Sequence, residues 1–117
     1  MKMQDISVSF RIAVNANKEK IIEIFKKYKD IWEISLEEKE LVIGRNNVVI
    51  NCNEDYDKEL SIIDENGYLY YENNIDFYPK DDAMMLENQI QLAKEISKKF
   101  VDYGIASEII AEFENLL

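Results

Sequence analysis

Tyrosine and carboxylate alternate along Gly67 to Pro79, which reads G-Y-L-Y-Y-E-N-N-I-D-F-Y-P. Successive side chains of a strand point to opposite faces. As a strand, this stretch puts Tyr68, Tyr70, Glu72, Asp76 and Tyr78 on one face and Leu69, Tyr71, Ile75 and Phe77 on the other. The second set is a core face. The first is suited to gripping another macromolecule, because tyrosine supplies a large contact area at little entropic cost and carboxylates pair with lysine and arginine. Just upstream, Glu54, Asp55, Asp57, Glu59, Asp64 and Glu65 surround Tyr56. Together with the tyrosine face they form a candidate surface for a basic protein partner.

Catalytic chemistry finds little to work with. There is no histidine, the commonest general base and zinc ligand. The three glycines, Gly44, Gly67 and Gly104, are too few and too scattered for a phosphate-cradling loop or a dinucleotide fingerprint. Cys52 is the single cysteine, and no activating base accompanies it. In V-V-I-N-C-N it shares period two with Val48 and Ile50, which predicts a buried thiol. Asn51, Asn53 and Asp55 have the one-three-five spacing of a calcium loop, but Tyr56 stands where glycine is required and Ile62 where a bidentate glutamate is required. The expectation is a non-enzymatic protein with no metal and no cofactor.

Charge gives the partner its sign. The 117 residues carry a formal charge of −10, with 24 acidic side chains against 14 basic ones. Between Asp30 and Asp82 fifteen acidic residues face four basic ones, so the excess belongs to the middle of the chain. Such a field repels nucleic acid and anionic membrane and draws cationic proteins in quickly. The start, M-K-M-Q-D-I-S-V-S-F, has no apolar leader, and no later run approaches the length of a membrane span. A cytoplasmic protein is expected.

The elements that position these residues follow from period. Val8, Phe10, Ile12 and Val14 alternate with polar or small neighbours and predict a strand with one buried face. Asn15 or Asn17 then caps a helix over Lys18 to Tyr28, whose apolar stripe is Ile21, Ile22, Phe25 and Tyr28. Trp32, Ile34 and Leu36 form one arm of a hairpin with Leu41 to Gly44, and a turn through Arg45, Asn46 and Asn47 starts Val48 to Cys52. After the acidic loop, Leu60 to Ile63 is expected as a short strand, and D-E-N-G turns into the long strand, which Pro79 stops. Asp81 or Asp82 caps a second helix over about Ala83 to Tyr103, with Met85, Leu86, Ile90, Ala93, Ile96, Phe100 and Tyr103 inward and Gly104 as its stop. Residues 105–114 alternate well enough to favour a final strand, although a helical continuation fits them too.

One hydrophobic core accommodates all of these faces. With 47% hydrophobic and 32% charged residues, the chain has a globular composition and the size of one domain, residues 1–117. The expected fold is α+β, a two-layer sandwich of one mostly antiparallel sheet with two helices packed on one face. The other sheet face is then open, with the tyrosines on it. Two further roles fit the same pattern: a small-ligand or metal-responsive regulatory domain with a cavity near Trp32 and Met85, and a module that self-associates through a sheet face or edge.

The strand ending I-D-F-Y-P, the helix opening L-E-N-Q-I-Q-L-A-K and closing at Y-G, and the ending A-E-F-E-N-L-L resemble small bacterial immunity proteins of contact-dependent growth inhibition and related polymorphic toxin systems. The resemblance covers the last half of the chain. It implies a cytoplasmic protein that binds and blocks the C-terminal domain of a cognate toxin, often a nuclease. A nuclease must present cationic surface to its polyanionic substrate, and an acidic inhibitor meets that surface directly. The resemblance carries no residue-by-residue binding motif.

Overall fold

The computed structural model describes residues 8–29, 34–37, 40–80 and 85–117. The stretch from Ile6 to Ser7, Trp32, and the candidate caps Asp81 and Asp82 lie outside them. Among the described residues six strands form one sheet: β1 (Phe10–Val14), β2 (Ser35–Glu37), β3 (Glu40–Ile43), β4 (Asn46–Cys52), β5 (Asn73–Pro79) and β6 (Ser107–Ile110), in the order β2-β3-β4-β5-β1-β6. Every neighbouring pair is antiparallel. Two long helices, α1 (Lys18–Lys27) and α3 (Leu86–Asp102), share one core with the inner face of the sheet. This is the expected α+β sandwich.

Period two explains the central strands. Phe10, Ile12 and Val14 of β1 and Ile75 and Phe77 of β5 are buried, and the rings of Phe10 and Phe77 stack with centroids 4.3 Å apart. From the helix layer, Ile21, Ile24, Phe25, Ala93, Ile96 and Phe100 close the core, with Phe25 against Phe100 at 5.9 Å. Asn17 is the cap of α1, its side-chain oxygen accepting the Lys20 N–H at 2.8 Å. The buried stripe uses Ile24 where Ile22 was expected, and Ile22 is half-buried. Helix α3 ends as Gly104 predicts. Gly104 has φ 74°, its N–H bonds to the Val101 carbonyl at 2.8 Å, and the Ile105 N–H reaches back to Phe100 at 2.8 Å, the paired bonds of a left-handed helix stop. Met85, expected inward, is exposed ahead of the helix, so the pocket expected near it is not formed by that side chain. Residues 107–110 are the final strand, and Ile109, Ala111 and Phe113 follow its alternation into the core.

The β3–β4 turn lies one step earlier than expected. Gly44 and Arg45 both have positive φ, 53° and 65°, which makes a two-residue hairpin of the kind that matches strand twist, and Asn46 and Asn47 already belong to β4. Asn46 is what holds this turn. It is fully buried, and its amide nitrogen lies 3.1 Å from the Ile43 carbonyl, 3.2 Å from the Gly44 carbonyl and 3.1 Å from Gln89 Oε1. Gln89 Nε2 in turn donates to Asn46 Oδ1 at 2.7 Å and to the Val8 carbonyl at 2.8 Å. A reciprocal amide pair thus ties the hairpin, α3 and the entry to β1 together.

Three local expectations are overturned. Gly67 to Pro79 is not one strand: residues Gly67–Tyr70 are a 3-10 turn, and β5 begins only at Asn73. The Asn53 side chain holds the break, donating to the carbonyls of Leu69 at 3.0 Å and Tyr71 at 2.7 Å. Leu60–Ile63 is a helical turn (α2) where a strand was expected, because Asp57 Oδ1 accepts the Leu60 N–H at 2.9 Å and starts it. Cys52 is exposed where a buried thiol was expected. It stands at the end of β4, where the inner row passes from buried Val48 through half-buried Ile50 and leaves the core.

Candidate partner-binding surface

Residues 53–72 leave the sheet between β4 and β5 and return as a closed excursion. Its base is the last ladder pair, Cys52 with Asn73, continued by the Asn53 N–H to Glu72 carbonyl bond at 2.9 Å. Further out, the Asp57 N–H bonds to the Tyr70 carbonyl at 3.1 Å. Gly67 packs so tightly on α2 that a Cβ there would run into the Ser61 carbonyl oxygen. The acidic loop and the tyrosine turn, adjacent only in sequence reasoning, are therefore one folded unit.

The predicted carboxylates divide by what they already hold. Asp57 caps α2, and Asp64 Oδ1 accepts the Asn66 N–H at 2.8 Å, so both are turn-builders as well as charges. Glu54, Asp55, Glu59 and Glu65 are exposed, and among the described residues no basic side chain pairs with them. Tyr56 is exposed beside them, while Tyr68, Tyr70 and Glu72 are half-buried at the foot of the excursion. The excursion also exposes apolar side chains, among them Leu69, which alternation had placed inward. Ile62 is 73% exposed, Ile63 68% and Leu69 50%. The cap spacing D-K-E-L, Asp57 three residues before Leu60, is the sequence signal that identifies α2 and with it the outward turn of both isoleucines.

Asp76 and Tyr78 belong elsewhere. Both lie on the outer face of β5 as expected, but they run away from the excursion, Tyr78 five residues beyond Asn73 or about 17 Å along the strand. Asp76 is only 6% exposed. Arg11 donates to it twice, Nε to Oδ1 at 2.6 Å and Nη2 to Oδ2 at 3.1 Å, and Asn51 Nδ2 donates to Oδ2 at 3.0 Å. Its hydrogen bonds push the Arg11 pKa up, so the guanidinium is a fixed charge. Registers place Val49, Asp76, Arg11 and Ile110 in one row across the outer face. Tyr78 and this ion pair line a shallow cavity of about 430 Å³ with Ile110.

The open outer face is also partly covered. Ala13, which points there, is fully buried, and the 3-10 turn contacts β1. Tyr71, expected inward, senses Glu108 of β6: burial first and that carboxylate second push its hydroxyl pKa up. Glu108 pairs with Ala13 in the register, so Tyr71 lies toward the outer side. Family models, characterised proteins and solved structures give no match to this chain. The surface must be read from its own chemistry.

That chemistry includes no metal-ligand cluster among the described residues. No three carboxylate or thiol side chains there converge on a cation site. Of the calcium-spaced trio, Asn51 is engaged with Asp76 and Asn53 with two carbonyls. No described helix is long and apolar enough to cross a membrane. Lysines gather on the helix layer, where Lys27 and Lys20 lie 5.1 and 6.0 Å from the Tyr103 ring centre and Lys99 lies 5.0 Å from that of Tyr28. Residues 53–72 carry seven acidic side chains against Lys58, whereas α1 and α3 together carry seven lysines against five acids.

Proposed function

We propose that this chain is a non-enzymatic protein-binding inhibitor that docks on a cationic partner through residues 53–72. The specific role is the one its sequence resemblance implies, a cytoplasmic immunity protein that neutralises a basic toxin domain. The observation that carries this reading is the pairing, on one folded excursion, of exposed Ile62, Ile63 and Leu69 with the carboxylates of Glu54, Asp55, Glu59 and Glu65. Apolar side chains left outside a core that is already complete mark an interaction site when they cluster. Carboxylates around them raise the rate of encounter with a positive surface, and the apolar side chains slow its release.

The test is association with a basic toxin domain, sought among the products of neighbouring genes, followed at low and high salt. Glu54→Lys, Asp55→Lys and Glu59→Lys together reverse charge without removing a capping bond, and the association rate should fall about tenfold or more, with a weaker salt dependence. Ile62→Ser with Ile63→Ser should instead raise the dissociation rate. A rate constant untouched by the charge reversal, in a variant that keeps its fold, would remove the excursion from the interface.

A further inference from the structure

The edge of the sheet at β6 has backbone groups that no other described backbone group meets. The Asn15 N–H donates to the Ala106 carbonyl at 2.9 Å, one step beyond the register that pairs Val14 with Ser107, Ala13 with Glu108 and Arg11 with Ile110. Hydrogen-bonded and non-bonded pairs alternate along an antiparallel ladder. Ala106, Glu108 and Ile110 therefore turn their N–H and C=O groups toward β1, and Ser107 and Ile109 turn theirs away from it. β6 ends the strand order, and among the described residues no backbone group meets Ser107 or Ile109 from the outer side.

A groove follows this edge. It is an open groove of about 510 Å³ along residues 107–109, lined by Tyr68 of the excursion, Ser97 of α3, Asn115 and Leu117. The Ser97 and Ser107 hydroxyls lie 2.9 Å apart and anchor α3 beneath the strand, so the groove has a fixed floor. Its charge is set by Glu108, which is exposed on the outer face and has no basic partner among the described residues. Tyr68 joins the groove to the 53–72 excursion.

We propose that an extended segment of the cationic partner adds to β6 as a seventh strand, its backbone bonding Ser107 and Ile109 and a lysine or arginine facing Glu108 beside Tyr68. This rests on the proposed function and supplies its binding mode. Strand addition draws affinity from main-chain bonds and specificity from alternate side chains. A second copy fits the edge less well: two-fold pairing centred on Glu108 sets two carboxylates directly opposite on one face, between chains that each carry −10.

Amide hydrogen exchange on the full chain tests this, with a synthetic peptide of about eight residues that alternates lysine with threonine. An otherwise equal peptide of glutamate and threonine serves as the control. The lysine peptide should slow exchange at Ser107 and Ile109 by about tenfold, the worth of a hydrogen bond, and leave Glu108 and Ile110 little changed because β1 already holds them. Ser107→Ala removes the hydroxyl contact to Ser97 alone; against that control, Ser107→Pro removes an outward N–H while sparing the ladder to β1. It should weaken peptide binding about tenfold, with unchanged protection at Glu108 and Ile110 reporting an intact fold. Salt-sensitive perturbation at residues 54–65 without slowing at Ser107 and Ile109 would overturn strand addition and leave the proposed function standing. No response at either place would count against both. Equal slowing by the two peptides would overturn the charge assignment, and protection of Ser107 and Ile109 in the protein alone, at a dimer's mass, would give the edge to a second copy.

Discussion

Arg11 and Asp76 stand opposite each other in the β1–β5 register and close a two-point ion pair on the outer face of the sheet. The two partners are unequally placed, since the Asp76 side chain is 8% exposed and that of Arg11 is 45%. Loss of the arginine therefore strands a nearly buried carboxylate, whereas loss of the carboxylate leaves a guanidinium that water still reaches. Arg11→Met should lower unfolding stability by about 2 kcal/mol, and Asp76→Asn, which keeps the shape but accepts at only one of the two oxygen positions, by less, because water still reaches the guanidinium. The double variant should recover part of the Arg11→Met loss. Urea unfolding of the three proteins checks the order.

The amide pair between Asn46 and Gln89 predicts a second asymmetry. Gln89→Leu keeps volume and removes the partner of both Asn46 and the Val8 carbonyl in a fully buried place. Unpaired buried amides cost about 1–3 kcal/mol each, so the melting temperature should fall by several degrees even though the substitution is apolar. Gln89→Glu should be worse at neutral pH, since it removes a donor and buries a charge.

These two pairs mark where sequence reasoning stopped. Alternation exposed β1, the inner row of β5 and the final strand because Phe10, Ile12, Val14, Ile75, Phe77 and Ile109 each carry their face in their own residue type. Asn17 and Gly104 gave the ends of helices for equally local reasons. L-S-I-I has no period of its own, and its state is decided by a cap three residues upstream. The break after Tyr70 depends on Asn53, which reaches Leu69 and Tyr71 across 16 and 18 residues. Alternation through the break consequently assigned Leu69 and Tyr71 to the wrong side. For the candidate surface, the acidic half was legible as charge density, while the apolar half was hidden because Ile62 and Ile63 look like core.

Two glycines are required for different reasons, and alanine separates them. At Gly67 the obstacle is the Ser61 carbonyl, part of a folded backbone that cannot swing aside. Gly67→Ala should loosen the excursion, cost about 1–3 kcal/mol and speed amide exchange at Ser61 and Asp57. At Gly104 nothing lies within 4 Å of the added Cβ, and the penalty is backbone strain at φ 74° alone. Gly104→Ala should cost about 1 kcal/mol and leave exchange in the excursion unchanged. Thermal unfolding with residue-resolved exchange distinguishes the two.

Tyr71 predicts how stability responds to alkali. Burial, and after it the charge of Glu108, holds its hydroxyl pKa above the ordinary value of 10.0. A phenol whose pKa is raised on folding keeps its proton longer in the native state than in the unfolded one. Between the two values the native state holds more protons, so stability falls as pH rises. The contribution is whole below pH 10.0, the ordinary tyrosine value, and is lost as pH climbs through the folded pKa. Tyr71→Phe should therefore flatten the decline in unfolding free energy above that point while changing little at neutral pH. Glu108→Gln removes the smaller cause, so phenolate absorbance should show Tyr71 titrating earlier than in the parent and still later than a free tyrosine. An unaltered titration in Glu108→Gln would mean that Tyr71 does not lie against β6, and the covering of the outer face by the 3-10 turn would have to be redrawn.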